Sequence, residues 1–264
     1  MPKNTNALPE TSPLRFPRRV CLIAALIYLV LIAAFLNAEI RSGRVLIAGD
    51  SIYAFHPWSD LPNPAPRFQN FDLPLQYHPW RTFTALQLRS GRIPLWNPYT
   101  FCGAPFIGNI QTQAFYPPIV PFTVLSPSHS FLISAMIKLF LACFGAFLLA
   151  TVLRFHPAAA ITAGTIYGFS GFTVLWLGYS HTSVTGWAPW MLLTIEWLLI
   201  RPGIRATLAL AAVTALQLLA GHPEMSAFLL IFTAAYTAMR LALVRHRPGA
   251  VIRYTLAGLG IGIA

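Results

Sequence analysis

Two short stretches hold the residue types that polar chemistry needs. Asp50, Phe55 and His56-Pro57-Trp58 recur as Asp72, Tyr77 and His78-Pro79-Trp80, each an Asp, four residues, an aromatic, then His-Pro-Trp. Two carboxylates and two imidazoles are the makings of a metal site or an acid/base pair. A plainer reading of each His-Pro-Trp is a rigid turn with an aromatic anchor at a lipid surface. The carboxylates stand apart from that choice, because only Asp50, Asp60 and Asp72 are acidic between Arg41 and residue 130. Asp60, in Ser59-Asp60-Leu61-Pro62, reads as a turn residue. Asp50 and Asp72 remain as candidates for a general base. Cys21, Cys102 and Cys143 have no disulfide, metal or nucleophile spacing and read as packing residues. No Walker sequence, glycine-rich nucleotide loop or zinc spacing occurs.

Lys138 is a further candidate, because it sits inside an apolar run over 130–153. At 1.5 Å per residue it would lie about 12 Å below the start of that run. Ser134, Ala135, Ala142 and Gly145 share its helical face. Small residues mark the face that packs on other helices, so the ammonium is expected to point into a bundle. A charge inside a membrane is costly and is read first as functional. The alternatives are a structural ion pair or a snorkelling lysine. Glu196 and Arg240, near the ends of their runs, read as snorkelling interfacial residues, and Glu224 as a carboxylate at a helix N-terminus.

These residues need a scaffold, and composition says which kind. The chain is 56% hydrophobic and only 9% charged, against about 25% charged in an ordinary soluble domain. Its net charge of +11 is spread over the ends of apolar runs, which argues against nucleic acid as a partner and for a lipid bilayer. A tail over 1–19 precedes a first run over 20–38, longer than the apolar stretch of a signal peptide and close to the roughly 20 residues that cross a bilayer. Further runs follow at about 130–153, 158–177, 184–200, 206–221, 225–244 and 254–264. The expected fold is an all-α polytopic membrane protein with about seven spans. The last run continues to Ala264 with no polar terminus, so the chain reads as the amino-terminal part of a longer protein, inactive by itself.

Arginines set the orientation. Arg154, then Arg201 and Arg205, then Arg245, Arg247 and Arg253 fall on alternate connections, and the connections between them carry no Lys or Arg. Cytoplasmic loops are the basic ones, so the N-terminus is expected in the cytoplasm of a multi-pass inner-membrane protein. Trp176, Tyr179, Trp187 and Trp190 are expected at the outer interface. By the same parity, residues 39–129 form one large outer loop. Its dense aromatics argue that it is folded. Arg81–Ser90 reads as a short amphipathic helix ended by Gly91 and Pro94, with Phe83, Leu86 and Leu88 on its apolar side.

Several segments of this loop form a set. They are Asp72-Leu73-Pro74-Leu75-Gln76-Tyr77-His78-Pro79-Trp80, Gly91-Arg92-Ile93-Pro94-Leu95-Trp96-Asn97-Pro98-Tyr99, Cys102-Gly103-Ala104-Pro105-Phe106, Asn109-Ile110-Gln111 and Phe115-Tyr116-Pro117-Pro118. With Trp187-Ala188-Pro189-Trp190 and Gly221-His222-Pro223-Glu224, they resemble the bacterial YfhO-like membrane proteins over roughly residues 45–230. That family is similar to the GT-C superfamily of polytopic glycosyltransferases. The resemblance implies a GT-C-like helical bundle that moves a sugar from a polyprenyl-phosphate donor to a cell-envelope glycan, lipid or protein acceptor on the outer face. It implies an essential acidic residue in the first outer loop: Asp72, inside the shared segment, or Asp50, nearer the first span. It further implies substrate-binding roles for Gln76, Tyr77, Trp96, Asn97, Asn109 and Gln111. The leaving phosphate needs positive charge. Arg81, Arg89 and Arg92 in the loop and Lys138 in the second span can supply it. The cofactor stays open: a divalent metal fits such chemistry and no spacing requires one. The competing readings are a transporter or lipid-handling protein of similar build, and a non-catalytic membrane scaffold.

Overall fold

The computed structural model describes residues 17–43, 46–47, 49–62, 71–243 and 248–264. Arg15, Arg245 and Arg247 lie outside the described residues. The first run forms α1 (Arg18–Phe35), which buries only Ala24, Tyr28 and Ile32. That spacing of four is one helical stripe, and Leu22, Leu26, Leu29 and Val30 around it are exposed. An exposed apolar surface of this kind suits lipid. A short α2 (Asn37–Ser42) follows and ends at Gly43, whose φ of 62° is the left-handed C-terminal stop that glycine favours.

The segment between α1 and α5 is folded. It holds 3₁₀ turns at Gly49–Ala54 and Trp58–Asp60, then a π-helical turn at Leu73–Tyr77 that runs straight into α3 (His78–Arg89). A two-stranded antiparallel ribbon, β1 (Trp96–Asn97) with β2 (Ala104–Pro105), leads through further 3₁₀ turns to α4 (Val120–Val124). We call this segment the cap. The two His-Pro-Trp copies fold differently. His56-Pro57 is a cis bond before a 3₁₀ turn, whereas His78-Pro79-Trp80 opens α3, where proline is tolerated in the first turn. Only the first copy is a turn, which corrects the common reading of both.

Seven apolar segments then build the bundle. They are α5 (Pro127–Val152), α6 (Pro157–Gly168) with α7 (Gly171–Leu175), α8 (Ser180–Thr185) with α9 (Ala188–Ile200), α10 (Ile204–Leu219), α11 (Pro223–Leu243) and α12 (Pro248–Ile263), together with α1. Five are long and apolar enough to cross a membrane, among the described residues; α10 and α12 are shorter apolar helices. The expected spans over 158–177 and 184–200 are broken. Ser170 caps a new helix by accepting the Thr173 N–H, and a second break falls at Gly186 and Trp187 between α8 and α9.

Close helix approach depends on small residues. Ala160, Gly164 and Gly168 are buried on one stripe of α6, against α1 and α5. A Cβ on Gly164 would lie 2.1 Å from the Tyr28 hydroxyl and 2.5 Å from the Cys143 carbonyl oxygen. This is small-residue packing between membrane helices. Gly164→Val should destabilise the protein by roughly 1–3 kcal/mol through overpacking, read as a lower unfolding temperature in detergent.

Glu196 and Arg240 were expected to reach separately for an interface, and the structure corrects this. Glu196 is 2% exposed and takes two hydrogen bonds from Arg240, at 2.6 and 2.7 Å, plus one from the Tyr236 hydroxyl at 2.5 Å. The pair ties α9 to α11, and the paired geometry offsets the cost of removing both charges from water. Glu196→Ala or Arg240→Ala should each cost about 3–5 kcal/mol, whereas replacing both by apolar residues should cost less than either. Thermal unfolding of the three variants checks the order. Trp187 and Trp190 are also held by hydrogen bonds inside the protein. Trp187 is buried and donates to the Tyr116 hydroxyl at 2.9 Å, and Trp190 donates to the Leu141 carbonyl at 3.0 Å.

The cap docks on one end of the bundle. Tyr77 bonds Ser180 (2.9 Å), Arg81 donates to the Gly178 carbonyl (3.4 Å), and Gln113 donates to the Ala220 carbonyl (2.5 Å). The turns it covers, around 176–181 and 220–222, are the two connections without Lys or Arg. Arg154, Arg201 and Arg205 belong to the turns at the other end of α6, α9 and α10.

Candidate functional site

Helices α7 and α8 do not join. Between Leu175 and Ser180 the chain has no continuous helix, and the carbonyls of Leu177, Gly178 and Tyr179 accept side-chain donors instead. Two cations take them. Lys138 Nζ donates to the Leu177 carbonyl at 3.0 Å and the Tyr179 carbonyl at 2.8 Å. Arg81 donates through one terminal nitrogen to Gly178 and to Gln113 Oε1 at 3.1 Å. The Leu73 side chain packs closely on Gly178, where a Cβ would lie 2.8 Å from it.

Both cations are buried, Arg81 at 1% exposure and Lys138 at 3%. The guanidinium of Arg81 is wrapped by the rings of Tyr77, Phe122 and Phe131, at 5.5, 5.3 and 4.9 Å. Such contacts partly offset the lost hydration. Burial pushes Arg81 down from 12.5 to about 10, and it keeps its charge at neutral pH. Burial and the nearby Arg81 charge also lower His78, whose ring stacks on Phe131.

The two cations line one cavity of about 450 Å³ between α1, α5, the α7–α8 break and the cap. Its walls are mostly apolar, with Leu36, Leu73, Phe131, Ala135 and Leu177 among them. Phe35 and Leu175 line it too, and both are exposed on the side of the bundle, at 44% and 62%. Exposed side chains of α1 and α7 thus border the cavity. Among the described residues neither cation has a carboxylate partner, and the ion pairs are His56–Asp60 and Arg240–Glu196. Arg81 Nε is buried with no acceptor, and Lys138 has a third N–H beyond the two that carbonyls accept. Buried like charges without a counter-charge are unfavourable unless an anion joins them. The arrangement has the chemistry to accept an anion with an apolar tail.

The other expected site residues are dispersed. Asp72 is exposed just before Leu73 and accepts from Gln76 at 3.3 Å. Its charge bears on Tyr77 and His181. Asp50 is half-buried in the turn Gly49–Ala54. Neither lines the cavity. Tyr77 is buried between the cavity wall and Ser180. Arg92 is exposed beyond α3, and Arg89 is spent on the carbonyls of Phe122, Thr123 and Leu125. The Trp96 ring covers Gly103, where a Cβ would be 2.6 Å away. Asn97 and Asn109 accept from the backbone N–H two residues on, shaping turns, and Gln111 is the half-buried donor to Asn109. No group of three or more His, Cys, Asp or Glu able to hold a metal is found among the described residues.

Sequence reasoning missed Gln113, which has φ of 58° and bridges Arg81 to Ala220, and also Glu39, which lines the cavity from α2. It missed the contact of His181 with His222, whose ring centroids are 3.8 Å apart. Only Glu39 carried a signal, as the first acidic residue after the first apolar run. The chain matches no family model, no curated protein and no solved structure.

Proposed function

We propose that this protein is a membrane glycosyltransferase of GT-C type. It takes a sugar from a polyprenyl-phosphate donor and passes it to a cell-envelope acceptor at the cap side of the bilayer. The observation that carries the reading is the pair of buried cations, without a carboxylate partner among the described residues, on the wall of a mostly apolar cavity bordered by exposed side chains of α1 and α7. A polyprenyl phosphate has the matching chemistry. Its phosphate meets Lys138 and Arg81, and its hydrocarbon chain leaves between α1 and α7 without crossing water. The same two cations stabilise the phosphate as it departs from the sugar, when its charge grows. The loop motifs that resemble the YfhO-like proteins support the same assignment, and the cap is then the outer loop of an inner-membrane protein whose basic turns face the cytoplasm.

A lipid-transport reading has one observation in its favour, the broken helices α6–α7 and α8–α9, since discontinuous helices often mark transport sites. The deciding experiment reconstitutes the full-length protein with radiolabelled polyprenyl-phosphate sugars and a membrane acceptor extract. Label moving into the extract is the expected result. Movement of intact donor between leaflets with no transfer would replace the transferase by a transporter.

A further inference from the structure

The side chain that holds Arg81 in place is neutral. Gln113 Oε1 accepts from the Arg81 guanidinium at 3.1 Å, and Gln113 Nε2 donates to the Ala220 carbonyl at 2.5 Å. Arginine only donates and a carbonyl only accepts, so these two partners fix which way the amide points. Gln113 is 4% exposed and sits in the left-handed region at φ 58°, uncommon for a residue with a side chain. The turn it reaches comes close. A Cβ on Gly221 would lie 2.5 Å from the Ile110 carbonyl oxygen and 2.9 Å from Gln113 Cγ. A sparsely populated backbone conformation persists only where its surroundings hold it, and such residues gather at ligand sites. A glutamate has nearly the same shape and would pair with Arg81 outright. The sequence instead holds no acidic residue between Asp72 and Glu196. Glu39 lines the same cavity, yet among the described residues it forms no ion pair with either cation.

We infer that Gln113 is the positioning residue of the anion site: it fixes the Arg81 guanidinium and, being neutral, leaves the positive charge to the ligand. This rests on the lipid-phosphate reading above and identifies the side chain that sets the site's preference for charge. One terminal nitrogen, Arg81 Nη2, donates to both Gln113 and Gly178. Holding that end of a planar fork fixes the direction of its remaining N–H groups. Arg81 Nε has no acceptor and stays available to an anion in the cavity that Arg81 lines. Through Ala220, Gln113 also ties the state of Arg81 to the turn between α10 and α11.

The test measures binding of polyprenyl monophosphate to the full-length protein in proteoliposomes at neutral pH, with polyprenol as the uncharged control. Gln113→Glu should weaken binding of the phosphate roughly 30–150-fold, the span expected for losing a charge-assisted hydrogen bond, because the carboxylate takes the guanidinium. Gln113→Met should weaken it only about 2–10-fold, since Arg81 keeps its charge and loses one neutral tether. Polyprenol should bind all three proteins alike. A glutamine with a structural role alone gives the opposite order, because methionine loses both hydrogen bonds and glutamate keeps the one to Arg81. In wild type, the phosphate should also slow backbone hydrogen exchange at 112–116 and 220–222, and polyprenol should not. Three outcomes overturn the assignment: Gln113→Glu binding within about threefold of wild type, Gln113→Met binding as weakly as Gln113→Glu, or no change in exchange at those segments when wild type binds. If wild type binds polyprenyl monophosphate no better than polyprenol, the lipid-phosphate reading itself fails, which is a different result from a Gln113→Glu that binds.

Discussion

Lys138→Met should abolish sugar transfer, by roughly 10²–10³-fold, and leave the protein no less stable than wild type. The two halves of that expectation have different causes. Removing the ammonium takes one hydrogen bond each from the Leu177 and Tyr179 carbonyls, at about 0.5–1.5 kcal/mol each, more for bonds to a charged donor. It also relieves the burial of a charge that has no carboxylate partner, which is worth several kcal/mol in the other direction. The folded state gains about what it loses. The departing phosphate gains nothing, because methionine offers it no positive charge. A lysine retained only for structure would show the reverse, with stability lost and transfer kept. Transfer rate and unfolding temperature on the same preparation separate the cases.

Arg81→Met should be worse, because Arg81 serves the cap as well as the anion. Its hydrogen bonds reach Gln113, and through Gln113 the Ala220 carbonyl, as well as Gly178. Loss of the side chain leaves a buried amide and a carbonyl underused and empties the cage of Tyr77, Phe122 and Phe131. Transfer should fall by at least about 10²-fold. Backbone hydrogen exchange should quicken in α3 and around 176–181, where the cap meets the bundle. Arg81→Lys should restore little, since a compact ammonium does not fill the cage of Tyr77, Phe122 and Phe131 as the planar guanidinium does. A pH series adds a further check in the Lys138→Met background. Residual binding of polyprenyl phosphate should persist at neutral pH and fall as the pH rises through about 10, where Arg81 gives up its proton.

Much of the scaffold was legible because apolar runs report spans directly. The run over 20–38 became α1, and the inward face of Lys138 followed from Ser134, Ala135 and Ala142 at helical spacing. The alternation of basic and neutral connections also anticipated which turns the cap covers. The break between α6 and α7 was not legible, because Ser170, where a capped helix starts, is one small polar residue inside a mostly apolar run over 158–177. A hydropathy pattern does not register a cap.

Arg81 shows the harder limit. In Arg81-Thr82-Phe83-Thr84-Ala85-Leu86 an amphipathic reading sends the arginine outward and Leu86 inward. The structure buries Arg81, Phe83, Thr84 and Ala85 and exposes Leu86 at 55%. What turns the helix is an aromatic cage assembled from Tyr77, Phe122 and Phe131, which only tertiary packing brings together. The Glu196–Arg240 pair is similar, since no local pattern links side chains on α9 and α11. Asn97 and Asn109 were legible as motif residues, yet their side chains serve the turns that hold the motif.

The most direct measurement is photocrosslinking of a diazirine-bearing polyprenyl phosphate to the reconstituted protein, with adducts mapped by mass spectrometry. If the cavity is a lipid-phosphate socket, adducts fall on Phe35, Leu36, Ala135 and Leu175, drop sharply in Lys138→Met at neutral pH, and are not formed by the matching polyprenol. Adducts scattered over the exposed faces of α11 and α12, equal for the phosphate and the polyprenol and unchanged in Lys138→Met, would contradict it.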